Sequence, residues 1–186
     1  MDSIFVDQAL YEGRPEGIGR APREMEVYDL LDRLHIPYFR ADHGPAATVE
    51  SCAAIEAVLG VPVCKNLFLC NRQKTRYYLL MMPGYKIFHT KELSAQIESS
   101  RLSFGSPEAM EAMLGVRPGS VSVLGLHHDK EHRIQLLMDR EILTASMIGC
   151  HPCMNTSTLK IATKDILDQF LAFTGHTPRE VVLSGK

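Results

Sequence analysis

The chain has 186 residues, 45% of them hydrophobic, with a formal net charge of −2. That length suits one domain built on one substantial core, and the near-neutral balance excludes a protein coated in positive charge, so any RNA contact is local. Five cysteines, an odd number, argue against a disulfide framework and for reduced thiols. No apolar run approaches the roughly 20 residues of a bilayer span, and Met1-Asp2-Ser3 lacks the basic and apolar regions of a signal peptide, so a cytoplasmic chain with no membrane partner is expected.

Residues 1–21 show no sustained periodicity and contain several breakers, which predicts an N-terminal arm on a single domain spanning residues 1–186. Val27, Leu30, Leu31 and Leu34 fall at helical spacing between Arg23 and His35, and Pro37 stops that helix from continuing. Tyr38 to Ala41 suits a short strand. A second helix is expected from a Thr48 cap to Gly60. Leu67 to Cys70 and Tyr77 to Met82, separated by the polar Asn71 to Thr75, read as a hairpin. Thr90 is a candidate cap for a helix through Leu93 and Ile97. Ser106-Pro107-Glu108 is a strong helix start, closed by Gly115. Val121 to Leu124, Ile134 to Met138 and Thr158 to Ile161 are strand candidates, and Thr163 is a candidate cap for a last helix ended by Gly175. Helices and strands mix without a strict βαβ repeat, which predicts an α/β (α+β) fold with a mixed, partly closed sheet surrounded by helices.

Three segments stand out: Cys64-Lys65-Asn66-Leu67 entering a strand, Gly115-Val116-Arg117-Pro118-Gly119-Ser120-Val121 between a helix and a strand, and Gly149-Cys150-His151-Pro152-Cys153-Met154-Asn155. In order and separation they resemble the YbaK and prolyl-tRNA synthetase insertion-domain superfamily, and the ending Phe170 to Pro178 resembles its freestanding prolyl-tRNA editing branch. The likeness runs from about Glu24 to Val182. It implies that fold and a deacylase acting on mischarged tRNA(Pro), with alanyl-tRNA(Pro) the expected substrate and no cofactor. It also implies direct water attack on the aminoacyl ester, assisted by the ribose hydroxyl of the tRNA.

The residues fit such chemistry. Lys65 offers a flexible cation for a phosphate, and Asn66 offers amide donors and a carbonyl acceptor. The Gly115, Pro118, Gly119 and Ser120 loop can present backbone N–H groups to a phosphate or developing oxyanion. His151 can hold water or the ammonium of the amino acid. Lys65, Asn66 and His151 are therefore the expected catalytic set. Substrate contacts are expected from Gly115, Pro118, Gly119, Ser120, Cys150, Pro152, Asn155 and His43, and tRNA contacts from Arg72, Lys74, Arg76 and Arg117. The expected partner is the acceptor end of a mischarged tRNA, with prolyl-tRNA synthetase or an elongation factor as further candidates.

Each feature also has a plain structural reading. Lys65 can be a solvated strand residue, Gly115 to Gly119 a helix stop and turn, and Asn155 a loop tie. Cys150-His151-Pro152-Cys153 has redox spacing, but it leads into a predicted strand and not a helix. His127, His128, His132, Cys150, His151 and Cys153 cluster in sequence, yet His127 to His132 reads as a polar turn between strands and no metal is expected. Small residues in Ala41 to Thr48, where relatives often carry a bulkier one, leave the amino acid open. The alternatives are a deacylase for cysteinyl-tRNA or another small aminoacyl-tRNA, a non-catalytic tRNA-binding module, and a thiol oxidoreductase.

Overall fold

The computed structural model describes residues 4–46 and 49–186, so Thr48, the expected helix cap, lies outside the described residues. One sheet has the order β1-β2-β8-β7, from Tyr11–Glu12, Tyr38–Asp42, Ser157–Ala162 and Met147–Cys150. The other has the order β5-β3-β4-β6-β9, from Ser103–Phe104, Cys64–Cys70, Tyr77–Pro83, Ile134–Asp139 and Arg179–Val181. β3 and β4 form the antiparallel hairpin expected from sequence, whereas β4, β6 and β9 run parallel. The mixed α/β architecture is as predicted, with its strands divided between two sheets. The sheets meet where Val63 bridges Gly149 and the Gly149 N–H donates to the Pro62 carbonyl at 3.1 Å.

The five-stranded sheet is buried on both faces, which is why its strands read as continuous apolar runs. Side chains alternate with the pleat. Phe68, Leu79, Met81, Leu136 and Met138 enter the main core, shared with Tyr28 and Leu31 from α1 (Pro22–Arg33). Leu69, Leu80, Met82 and Leu137 enter a second core closed by Leu93 of α3 (Thr90–Gln96). A smaller cluster joins Ala41 and Val63 to Ile55 and Leu59 of α2 (Val49–Leu59).

Local signals set most boundaries. Ser106 caps α4 (Pro107–Leu114), its side chain accepting from the Ala109 N–H at 3.1 Å. Gly60, Gly115 and Gly175 adopt left-handed conformations after their helices. Five expectations need correction. The first helix ends at Arg33 because His35 turns left-handed and the Ile36 N–H closes on the Leu31 carbonyl, before Pro37 acts. Thr90 and Thr163 are first helical residues, with His89 and Ala162 in the cap positions. Val121 to Leu124 is not a strand: Val123–His128 is a 3-10 helix whose start is capped by the Ser122 hydroxyl. Nor is His127 to His132 simply a turn, since its first two residues end that helix.

After α5 (Arg140–Thr144), the last helical segment joins α6 (Thr163–Asp165) to α7 (Leu171–Thr174) through a π turn at Ile166–Phe170. The arm packs along β2, with the Gly44 N–H donating to the Phe5 carbonyl at 2.8 Å and Tyr11 paired with Arg40. No helix among the described residues is long and apolar enough to cross a membrane.

Gly149 is required by close approach. A Cβ there would lie 2.9 Å from the Pro62 carbonyl oxygen and 3.2 Å from the Val63 Cα, both backbone atoms. Gly149→Ala is expected to push the sheets apart at a cost of about 1–3 kcal/mol, lowering Tm by about 2–4 °C per kcal/mol. Calorimetry on the variant checks this, and an unchanged Tm would mean that the junction is pliable.

Candidate active site

The junction between the sheets orients three loops. β7 runs parallel to the start of β3 through the Val63 and Gly149 bridge, so the chain passes Cys64 at Cys150 and enters the His151 loop there. The loop returns to β8 beside the end of β2, where the His43 N–H donates to the Thr156 carbonyl at 3.0 Å. Asn155 binds both backbone groups of Ala46, donating to its carbonyl at 2.7 Å and accepting its N–H at 3.2 Å. The third loop is a turn over Arg117, Pro118, Gly119 and Ser120, closed by the Ser120 N–H on the Arg117 carbonyl at 3.0 Å. Gly119 has φ 87, which suits glycine after proline in a type II turn. A Cβ on Gly119 would stand 3.8 Å from Asn155 Nδ2, so this turn adjoins the other two loops.

Two histidines sit among them, with ring centroids 6.0 Å apart. His151 Nδ1 lies 2.9 Å from the Ser157 carbonyl, and His43 Nδ1 lies 2.7 Å from the Gly44 carbonyl. A carbonyl only accepts, so each Nδ1 carries the proton and each Nε2 is the acceptor. His43 Nε2 takes the Thr158 hydroxyl at 2.8 Å, and that hydroxyl also lies 3.3 Å from His151 Nδ1. Burial lowers His151 to about 4, aided by the neighbouring His43, and burial lowers His43 as well. The His151 imidazole is neutral at pH 7, with Nε2 the nitrogen able to accept from water or a substrate.

This geometry rests on a buried ionic network beneath the His151 loop. Glu24 accepts from Arg20 at 2.6 Å and from the Tyr28 hydroxyl at 2.9 Å, while Asp42 accepts from Arg20, Arg40 and the Ser157 hydroxyl, each at 2.7 Å. Ser157 is thereby fixed as the residue whose carbonyl orients His151. Sequence reasoning missed Thr158, Ser157, Glu24 and Arg20. No local spacing links the last two to the loop.

Lys65 and Asn66 part company because they alternate across β3. Asn66 faces the main core, and its side-chain Oδ1 accepts the Val123 N–H at 3.1 Å, anchoring the segment after the Gly119 turn. Lys65 lies on the opposite face, exposed, with Nζ donating to the Lys86 carbonyl at 2.8 Å. It borders a surface groove with Leu67, Phe88, His89, Thr90, Lys91 and Phe104. Gly115 packs under the His128 ring and gives its carbonyl to Arg23 at 2.9 Å, a capping role. The Ser120 N–H is taken by its turn, which leaves fewer loop donors than the sequence suggested.

Of the expected tRNA contacts, Arg117 stands exposed beside the Gly119 turn. Arg72, Lys74 and Arg76 are exposed at the far end of the hairpin, about 20 Å along β3 from Lys65 at ~3.3 Å per residue. Their charges do not adjoin the site, contrary to the sequence reading.

All five cysteines are free thiols. Cys150, Pro152 and Cys153 are buried behind His151. Burial pushes the Cys153 thiol up to about 12 and Cys150 well above its ordinary value. Thiolates are needed for exchange, and the motif lies between two strands, so the geometry opposes a redox role.

Comparison with known proteins fits this arrangement. The aminoacyl-tRNA editing domain model matches residues 43–169. A prolyl-tRNA editing protein ProX from Acetoanaerobium sticklandii is 28% identical over 157 residues, covering 84% of this chain and 95% of that protein. The Danio rerio prolyl-tRNA synthetase associated domain-containing protein 1 is 31% identical over 186 residues, covering 99% of each. A crystal structure of a proposed trans-editing enzyme for prolyl tRNA synthetase aligns over 88% of this chain and 99% of its own, with TM-score 0.62 at 14% identity, a likeness of fold. The chain belongs to the aminoacyl-tRNA editing domain family.

Proposed function

We propose that the chain hydrolyses mischarged tRNA(Pro), with alanyl-tRNA(Pro) its principal substrate, by water attack on the aminoacyl ester. Family membership and the names of the similar proteins support the class of reaction. The observation that carries the assignment of roles is the neutral, Nδ1-protonated His151 set between the Ala46 and Gly119 loops. Its Nε2 accepts a proton from the attacking water or holds the α-amino group of the amino acid. The Gly119 turn lies against the ester, and Asn66 keeps that turn in place through Val123.

Lys65 acts on the nucleotide end and not on the ester, because it faces the groove. There Lys65 and Lys91 meet phosphates while Phe88 and the exposed Phe104 offer faces to unpaired bases. Arg117 adds a contact on the other side. A pocket sized for alanine rejects the larger proline by exclusion, which discriminates more strongly than a missing methylene. The acceptor end of the tRNA is thus the partner, delivered in the cytoplasm by the synthetase or an elongation factor.

The test is release of labelled alanine from alanyl-tRNA(Pro), with cysteinyl- and prolyl-tRNA(Pro) alongside. Loss of a positioned proton acceptor in His151→Ala is expected to slow release about 100-fold. Lys65→Ala is expected to act mainly through KM, and Cys150→Ala/Cys153→Ala to retain turnover. No release from any small-aminoacyl tRNA would favour a binding module, and loss only in the cysteine variant would revive thiol chemistry.

A further inference from the structure

Away from the candidate active site, α1 and the 3-10 helix bring together three ligating groups that no local motif joins. Glu26 Oε2 lies 3.6 Å from His128 Nε2 and 3.9 Å from His127 Nε2, and all three atoms lie within 4.8 Å of one another. Two ligands of a tetrahedral zinc ion, each about 2.0–2.1 Å from the metal, stand roughly 3.3–3.4 Å apart. The Glu26 to His128 gap is within a few tenths of an ångström of that, the Glu26 to His127 gap is about half an ångström wider, and the exposed Glu26 side chain can close both, while the two imidazole nitrogens lie within 4.8 Å of each other.

The protonation pattern is that of a ligand set. His127 Nδ1 lies 2.6 Å from the Leu124 carbonyl, so Nδ1 carries the hydrogen and the lone pair is on Nε2. Metal-bound histidines commonly donate their second ring nitrogen to a backbone carbonyl in this way, which fixes the tautomer and the ring. His127 Nε2 is buried and has no hydrogen-bond partner. A buried lone pair left unpartnered carries a free-energy penalty that a cation would remove.

His128 is held in place by packing on Gly115, where a Cβ would lie 2.7 Å from its ring, and its ring centroid lies 3.9 Å from that of His127 with the two planes tilted at 43°. The two imidazoles and one carboxylate form a donor set suited to zinc, cobalt or nickel, and not to calcium or magnesium. Glu26 and His127 open onto a pocket of about 330 Å³ that also holds Asp29, Arg33 and Lys130. That leaves space for water or a small anion in the fourth position. Asp29 is engaged by Arg14 at 2.6 Å, and Arg33 and Lys130, which lie over the Phe173 ring, are cations that favour an anion in the pocket.

We propose that Glu26, His127 and His128 form a zinc-type divalent metal site that clamps α1 to the 3-10 helix. It is independent of the deacylase reading. The full chain, stripped of metal, is titrated with Zn2+ against a chromophoric chelator and with Co2+ followed by visible absorption. One equivalent is expected to bind, with a four- or five-coordinate cobalt spectrum and a rise in Tm. Glu26→Gln, His127→Ala and His128→Ala are each expected to weaken binding at least ~10-fold, since even outer-shell changes cost 10- to 100-fold. Should His127→Ala fail to fold, the exposed Glu26→Gln decides. Binding no tighter than millimolar, or equal affinity in wild type and Glu26→Gln, overturns the site.

Discussion

Asp139→Ala is expected to be the most destabilising single change, costing about 3–5 kcal/mol, because it removes the fully buried carboxylate from Lys86, leaving only the half-exposed Glu141 as counter-charge, and takes away an α5 cap at the same time. Lys86 reaches Asp139 at 3.0 and 3.1 Å and the Leu183 carbonyl at 2.8 Å, with side-chain exposures of 5% and 0% for the two charged residues. Burial opposes the Lys86 charge, yet its bonds to Glu141 and Asp139 outweigh that and hold the ammonium above its ordinary range. Asp139 does more than neutralise. It caps α5 through the Glu141 N–H at 2.9 Å and receives the Leu183 N–H at 3.1 Å, so β6, α5 and the C-terminal strand region all converge on it. At about 2–4 °C per kcal/mol for a chain of this size, Tm should fall by at least about 6 °C. Adding Lys86→Met should recover part of the loss, because the under-compensated buried charge is then gone. The same network reaches the proposed RNA groove, since the Lys86 carbonyl receives Lys65. Asp139→Ala should therefore raise KM for tRNA in whatever fraction remains folded. A stability loss below about 1 kcal/mol would mean that water reaches the ammonium readily.

What could be read from the sequence follows how far apart the deciding residues are. Ser106, Pro107 and Gly115 mark α4 through contacts within the helix and its caps. The β3 and β4 hairpin is similarly local: Asn71 closes the turn itself, accepting the Thr75 and Arg76 N–H groups. Val121 to Leu124 misleads because its apolar run looks like a strand, while its path is set by Gly125, where a Cβ would lie 3.0 Å from the Leu114 carbonyl oxygen. Nothing in the run announces that neighbour. Tyr11–Glu12 and Ser103–Phe104 are too short to carry a pattern, and each is defined by pairing with a distant strand.

The candidate site divides in the same way. His151, Asn155 and Gly119 are legible as loop motifs and lie in adjoining loops. The opposite facing of Lys65 and Asn66 follows from strand alternation, but which face meets the His151 loop depends on the sheet junction at Gly149. Thr158 and the Glu24 network, which set the histidine tautomers, are tertiary. Glu26 escapes for that reason too, joining the His127 and His128 pair only when α1 meets the 3-10 helix.

Acid should expose the role of His151 directly. Its folded value, lowered to about 4 by burial, lies below the ordinary 6.5 of an unfolded histidine. Above 6.5 neither state binds the proton, and stability is independent of this group. As pH falls from 6.5 toward 4 the unfolded chain takes up the proton first, so the folded state loses stability through that window. A shift of this size corresponds to roughly 3 kcal/mol at its full extent. His43, lowered in the same direction, adds to the slope. Urea unfolding between pH 7.5 and pH 4.5 should show wild-type stability declining below about 6.5, with His151→Gln markedly flatter. Catalysis by the neutral ring predicts a second behaviour: deacylation should not lose its proton acceptor until pH nears 4, well below the point at which an ordinary histidine would switch off. A rate that halves near pH 6.5 would mean that His151 titrates as an exposed ring, and the proton acceptor would have to be sought elsewhere, with His43 the next group to replace.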